Sequence, residues 1–239
     1  GAGWAYHPFN GLNNSNGTPA DLPANKVNTR DNGSILKFQE AYTRKLATEL
    51  NRYDNFYFEI QNEPWAEGKD TVLVWNDYLG PDDLKLSWQQ WKNTLEVASE
   101  DSRKWHKTVS AWIVDTEKML RKKHLISHNI ANFKLPAFAS DPYISIYTFH
   151  YASPEAVGLN YGLNKVIGFN ETGFAGKNDD TYRRQAWRFM MSGGGLFGHL
   201  DYSFTVGYEN GTNLNNNAPG GGSPTLRTYF RVLKNYLEG

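Results

Sequence analysis

The sequence predicts an α/β protein built from parallel βαβ units, and three observations carry that expectation. Apolar runs of strand length alternate with helical-period segments from one end of the chain to the other. The 239 residues, 39% hydrophobic and 21% charged, suffice for one large domain with a sizeable core. No short-period repeat and no second composition regime divides them, so a single domain over residues 1–239 is expected.

Ala2 to His7 reads as the tail of a strand. Ser34 to Leu50 reads as a helix, with Phe38, Tyr42 and Leu46 four apart and Asn32-Gly33-Ser34 as its start signal. Phe56-Tyr57-Phe58-Glu59-Ile60 is an aromatic-rich strand. Trp88, Trp91 and Leu95 mark a helical face, a charged helix runs from about Glu100 to Lys122, and His124 to Ile130 reads as a strand. Tyr143 to Tyr151 and Lys165 to Asn170 are further strands, the second followed by a helix from Asp180 to Met191. Leu196 to Phe204 is another strand, and a closing helix over Thr225 to Leu237 sets Leu226, Tyr229, Leu233 and Leu237 on one side. Five strands are clear and Ala2–His7 makes a sixth, whereas a (β/α)8 barrel needs eight. Two arrangements remain open: an open α/β sheet, or a barrel whose first two βα units lie outside this sequence. In the second case the sheet edges would expose unpaired backbone, so two further units before Gly1, or a second chain associating at that edge, are expected to cover them.

Composition excludes several function classes. Equal numbers of basic and acidic residues, 25 of each, leave no field to gather nucleic acid or anionic lipid. No window approaches the roughly 18 apolar residues of a membrane span, and the first residues lack the order of a signal peptide. The absence of cysteine removes disulfides, thiolate metal sites and cysteine nucleophiles. What stands out is 35 aromatic residues beside 24 Asn. Aromatic rings stack on the C–H faces of sugars while amides bind hydroxyls, which is the chemistry of a carbohydrate site.

Two motifs carry the chemistry. Glu59-Ile60-Gln61-Asn62-Glu63-Pro64-Trp65 ends a strand at a proline, so Asn62 and Glu63 fall on the rim where α/β barrels place their reactive groups. Val166-Ile167-Gly168-Phe169-Asn170-Glu171-Thr172-Gly173-Phe174 likewise ends a strand in a Glu, with Gly173 allowing a tight turn. Two Glu at equivalent ends of parallel strands would face one cavity, the arrangement of glycoside hydrolysis, and a separation of about 5 to 5.5 Å would mark a retaining enzyme. No metal or cofactor is required. His7-Pro8 and Asn129 are similar rim positions, open between sugar contact and structure, and Glu59 reads as a structural acid inside the barrel. The loop Gly207 to Ser223 is either a lid or a solvated loop. Sequons at Asn13, Asn16, Asn32, Asn170 and Asn210 read as chance in an Asn-rich chain.

On the Asn62-Glu63-Pro64 ending one strand and the Glu171 ending another, the sequence resembles clan A glycoside hydrolases, most nearly the cellulase-like family 5 group. The resemblance implies a (β/α)8 TIM barrel with strands three to eight in this chain and the first two βα units missing. It implies Glu63 as general acid/base, Glu171 as nucleophile and Asn62 as the amide that binds the sugar 2-hydroxyl. His150 and Tyr151 resemble the family's strand-six pair, which contacts the sugar and hydrogen-bonds the nucleophile, although the family more often separates the two by one residue. His7, Asn129 and Trp65 join the expected substrate contacts. Tyr202 or Phe204 would replace the Trp platform that the family carries on strand eight and this chain lacks. The family's strand-two Arg has no counterpart here. The expected activity is a retaining hydrolysis of β-glycosidic bonds in a poly- or oligosaccharide, with secretion or the periplasm favoured as its location. The alternatives are a non-catalytic carbohydrate-binding barrel and a truncated, inactive hydrolase.

Overall fold

The structure is a computed structural model that describes residues 2–73, 94–137 and 141–239. In chain order it contains helix α1 (Ile35–Leu50), strand β1 (Phe58–Glu59), strands β2 (Lys69–Leu73) and β3 (Thr94–Ala98), helix α2 (Glu100–Glu117), strands β4 (Ile126–Asn132) and β5 (Ile146–His150), helix α3 (Glu155–Asn160), strand β6 (Val166–Glu171), helix α4 (Asp179–Met191), strand β7 (Leu196–Phe197) and helix α5 (Pro224–Glu238). The architecture is α/β: five strands form one sheet in the order β1-β4-β5-β6-β7, and β2 and β3 pair separately. Phe58 pairs with Ile126 and Gly168 with Leu196, both in parallel register. A parallel sheet whose strand order follows the chain is consistent with part of a barrel, and eight strands are not seen among the described residues.

Two compact units can be separated, one within Gly1–Thr71, Glu96–Ile130 and Ala139–Ile146, the other within Val72–Leu95, Ala131–Phe138 and Tyr147–Gly239. In the first, α1 packs on α2. Ser99 starts α2 by accepting the Ser102 N–H at 3.2 Å, and Glu100 and Asp101 add negative charge to its first turn. The indole of Trp105 donates to Gln39 Oε1 (2.9 Å) inside this helix pair, so a buried amide is satisfied. At the other end of α2 the buried Glu117 receives the His124 N–H (2.8 Å) and faces its ring Nδ1 at 2.5 Å, which ties the helix to the start of β4.

In the second unit α4 packs on α5. Phe169 of β6 meets Phe189 of α4 at 5.5 Å and Phe197 of β7 at 5.2 Å, and Phe197 meets Phe230 of α5 at 5.4 Å, each pair tilted toward edge-to-face geometry. Gly168 makes this layer possible, because a Cβ there would stand 3.1 Å from Leu196 and 3.2 Å from Thr148. Asn178 and Ser223 cap α4 and α5, accepting the N–H groups of Asp180 (3.0 Å) and Leu226 (2.9 Å).

Several sequence expectations need correction. Ala2–Tyr6 is a 3-10 helix and not a strand. The amide groups of Asn10, Asn13 and Asn14 bind the carbonyls of Trp4, Ala5, His7 and Pro8, groups that a strand would need for its ladder. Leu95 belongs to strand β3, where Leu95 and Val97 are buried two residues apart; its expected helical companions Trp88 and Trp91 lie outside the described residues. The last strand stops at Phe197 instead of Phe204. Gly198 still donates to Phe169 O (2.7 Å), but Asp201 Oδ1 then accepts the Ser203 N–H (3.0 Å) in a side-chain-closed turn.

The loop Gly207 to Ser223 is anchored at several points. Arg227 of α5 pairs with Asp201 at 2.6 Å and donates to the carbonyl of Gly211 at 2.7 Å, Asn216 donates to Tyr202 O (2.8 Å), and Gly176 and Gly220 form a parallel bridge.

Candidate active site

In the first unit Glu63 follows the C-terminal end of β1 and is half-buried, with a left-handed backbone at φ 42°. Such a conformation strains a residue with a Cβ and persists only where its surroundings hold it. Asn129 of β4 supplies that hold: its Oδ1 accepts the Glu63 N–H at 2.9 Å, and the amide itself is fully buried. Asn129 is thus a positioning residue for Glu63. Asn62 is exposed beside it. Trp65 is buried at 5% exposure in the turn that follows, so its ring is packed away from solvent. Glu59 accepts a hydrogen bond from Ser127 Oγ at 3.3 Å. His7 belongs to no strand; it is stacked on Trp4 at 5.3 Å and lines a cavity with Phe9, Asn25, Asn28 and Glu67.

In the second unit Glu171 ends β6, and the two residues ending β5 converge on it. Tyr151 Oη donates to Glu171 Oε1 at 2.7 Å, and His150 Nδ1 stands 3.4 Å from Oε2. Adjacent side chains on an extended strand point to opposite faces, so both could not reach one carboxylate from regular β structure. Tyr151 resolves this with φ 50°, a left-handed turn that brings its ring to the same side as His150. Its backbone is fixed there by the Tyr151 N–H donating to Glu171 O (2.9 Å). Phe133, just past β4, also has a left-handed backbone (φ 70°) and donates its N–H to His150 O at 2.8 Å. Among the described residues of this unit, Phe133 and Tyr151 thus both take a left-handed backbone one residue past a strand end. Strain concentrated in this way is a mark of functional sites.

Aromatic rings surround Glu171 within its unit. Tyr202 is half-buried, and its phenol is held above its ordinary value by burial and, secondarily, by the negative charge of Glu171. Phe174 lies between the two tyrosines, perpendicular to Tyr151 at 5.6 Å and to Tyr202 at 6.3 Å. Phe204, the other expected platform, instead carries the Arg227 guanidinium at 4.8 Å and lines an apolar groove with Leu196, Phe197 and Phe230. Sequence reasoning named Glu171, His150, Tyr151 and Tyr202 and missed Phe174; its place three residues after a strand-ending Glu was the available signal.

Among the described residues neither unit by itself groups three His or carboxylate side chains within coordinating reach, and no helix is long and apolar enough to cross a membrane. Comparison with family models, curated proteins and solved structures found no match.

Proposed function

We propose that the chain is a retaining glycoside hydrolase acting on β-linked poly- or oligosaccharides, and that its sheet is part of a (β/α)8 barrel. The observation that carries this reading is the seating of Glu171, with a phenol directed at one carboxylate oxygen and an imidazole beside the other. Such a carboxylate is oriented for attack and keeps no freedom to swing away. Supporting it are the strained Glu63 in the turn that follows β1 and the half-exposed Phe174 against the ring of Tyr151.

In this mechanism a Glu171 oxygen attacks the anomeric carbon as the bond to the leaving oxygen breaks, and Glu63 gives that oxygen its proton. Glu63 then takes a proton from water, whose oxygen attacks the same carbon and releases Glu171. Asn62 would meet the 2-hydroxyl, and Tyr151 and His150 would hold Glu171 through both steps.

The test is kinetic. Glu171→Ala should abolish turnover of aryl β-glycosides and polysaccharides, and added azide should restore turnover of the aryl glycoside with an inverted glycosyl azide as product. Glu63→Gln should slow substrates with poor leaving groups far more than activated aryl glycosides, which need little protonation. Equal losses on both kinds of substrate would place the acid elsewhere. Sugar binding without turnover in the unaltered chain would favour a carbohydrate-binding protein.

A further inference from the structure

We propose that the cavity lined by Trp4, Phe9 and Glu67 binds an organic ammonium group, with the Glu67 carboxylate as its counter-ion and the two rings as walls for its methyl or methylene groups. The site lies wholly within the first unit and stands apart from the hydrolase reading of Glu171.

The cavity holds about 700 Å³, a volume proper to a small-molecule site. Trp4 and Phe9 are half-buried along it, while His7 and Glu67 are exposed. The segment that carries the rings is braced by its own asparagines. Asn10 Nδ2 donates to Trp4 O (3.0 Å), Asn13 Nδ2 to the carbonyls of Ala5 and His7, and Asn14 Nδ2 to Pro8 O (2.9 Å). His7 Nδ1 accepts the Phe9 N–H at 3.1 Å and its ring stacks on Trp4, so the three aromatic side chains are tied to one another.

Glu67 is oriented from the core. Trp105 Nε1 donates to Gln39 Oε1, the buried Gln39 donates through Nε2 to Val27 O (3.0 Å) and Asn28 Oδ1 (3.4 Å), and Asn28 Nδ2 donates to Glu67 Oε2 at 2.6 Å. Among the described residues no hydrogen bond reaches the other carboxylate oxygen, Oε1, and no cation pairs with Glu67. The lysines near it in the chain are committed to other acids: Lys26 faces Asp31 and Asp101 at 3.7 and 3.8 Å, and Lys69 pairs with Glu96. A fixed carboxylate with one open oxygen thus stands at a cavity with aromatic walls.

The lining selects among ligand chemistries. No Lys or Arg lines the cavity among the described residues, so an anion would find Glu67 and no partner. A bare metal ion wants several carboxylate or imidazole ligands, whereas Glu67 is the one acid of the lining and His7 Nδ1 is already occupied. A neutral molecule would strip water from Glu67 without answering its charge. An ammonium group on carbon answers both parts of the lining, its charge and N–H groups meeting the carboxylate and its C–H groups the rings. Such a group is carried by a free amine or by a 2-amino sugar.

The experiment follows the indole N–H signal of Trp4 in the full chain, assigned as the one lost in Trp4→Phe. The probes are choline and glucosamine, each beside a neutral counterpart, 3,3-dimethyl-1-butanol and glucose. An ammonium probe should shift the signal to saturation and bind about tenfold more tightly than its counterpart, an advantage that added salt should erode. In calorimetry Glu67→Gln should weaken that probe about tenfold and Trp4→Leu about fivefold. Glu171→Ala should bind it as the parent does, which separates this site from the hydrolase reading. Thermal unfolding of each variant checks that the fold is kept. Binding tighter for glucosamine than for choline would trace the ammonium to a sugar unit and the reverse to a free amine, and either upholds the site. Equal binding of the charged and neutral members of both pairs, or a Glu67→Gln that binds as tightly as the parent, would overturn the ammonium. No shift of the Trp4 signal with either ammonium would remove the site.

Discussion

Tyr151 owes its role to one backbone angle. At φ 50° its ring turns back to the side of His150, and its hydroxyl reaches Glu171 at 2.7 Å. A hydrogen bond to a charged group is worth more than one to a neutral group, so Tyr151→Phe should lower kcat by roughly 10- to 100-fold. The rings of Phe133 and Phe174 keep their partner in that variant, so its melting temperature should stay within a few degrees of the parent; a kcat that does not change would deny the phenol its part in seating Glu171. Glu63 and Glu171 could be found in the sequence because a carboxylate ending a strand is a local pattern. Phe174 and Trp65 could not be sorted that way. Nothing in composition tells an exposed Phe from a core one or marks the Trp after a proline as buried, since burial depends on distant residues. The role of Asn129 was equally hidden, because a side chain that binds a backbone N–H 66 residues away leaves no mark on its own neighbourhood.

Between β4 and α2 two histidines are packed ring against ring. His106 and His128 meet at 4.4 Å, and His106 Nε2 lies 2.8 Å from Gln61 Oε1, an atom that can only accept, so the neutral ring carries its proton there. Burial, then the neighbouring His128 and Arg103, hold His106 well below its ordinary value; burial, with a smaller contribution from Arg103, pushes His128 down to about 4. An unfolded histidine takes its proton near pH 6.5, so the unfolded state binds protons first as pH falls. Stability is therefore full above pH 6.5 and declines toward pH 4, by up to roughly 3 kcal/mol from His128 alone. Urea unfolding at pH 7, 6, 5 and 4 checks this, and His128→Phe should flatten the decline. At this scale the helices were the most legible elements: Ser34 to Leu50 was expected where Ile35–Leu50 forms, since a 3.6-residue apolar period is written along the helix itself. Strand ends and the β2–β3 pair were not legible, because a strand is defined by a partner elsewhere in the chain. Leu196 to Phe204 has the apolar content of a strand but loses its ladder once Asp201 closes a turn.

Over the whole molecule, β7 ends the strand order among the described residues, beside the groove lined by Leu196, Phe197 and Phe230, and the association expected of a sheet edge would fall there. Sedimentation should show a mass that rises with concentration, and Phe230→Glu should suppress the rise; a monomer at every concentration would mean that this edge attracts no second chain. The strand registers also imply an order in time. Gly168 and Leu196 are 28 residues apart in the chain, whereas Phe58 and Ile126 are 68 apart. The shorter loop costs less entropy to close, and α4 lies within it as a locally encoded element. Pulsed hydrogen exchange during refolding should therefore find the amides of β6 and α4 protected before those of β1. A ribosome, which releases the chain from its N-terminus, would deliver β1 early and leave it waiting for β4. Through that interval the aromatic run from Phe56 to Phe58 is a stretch for a chaperone to shield.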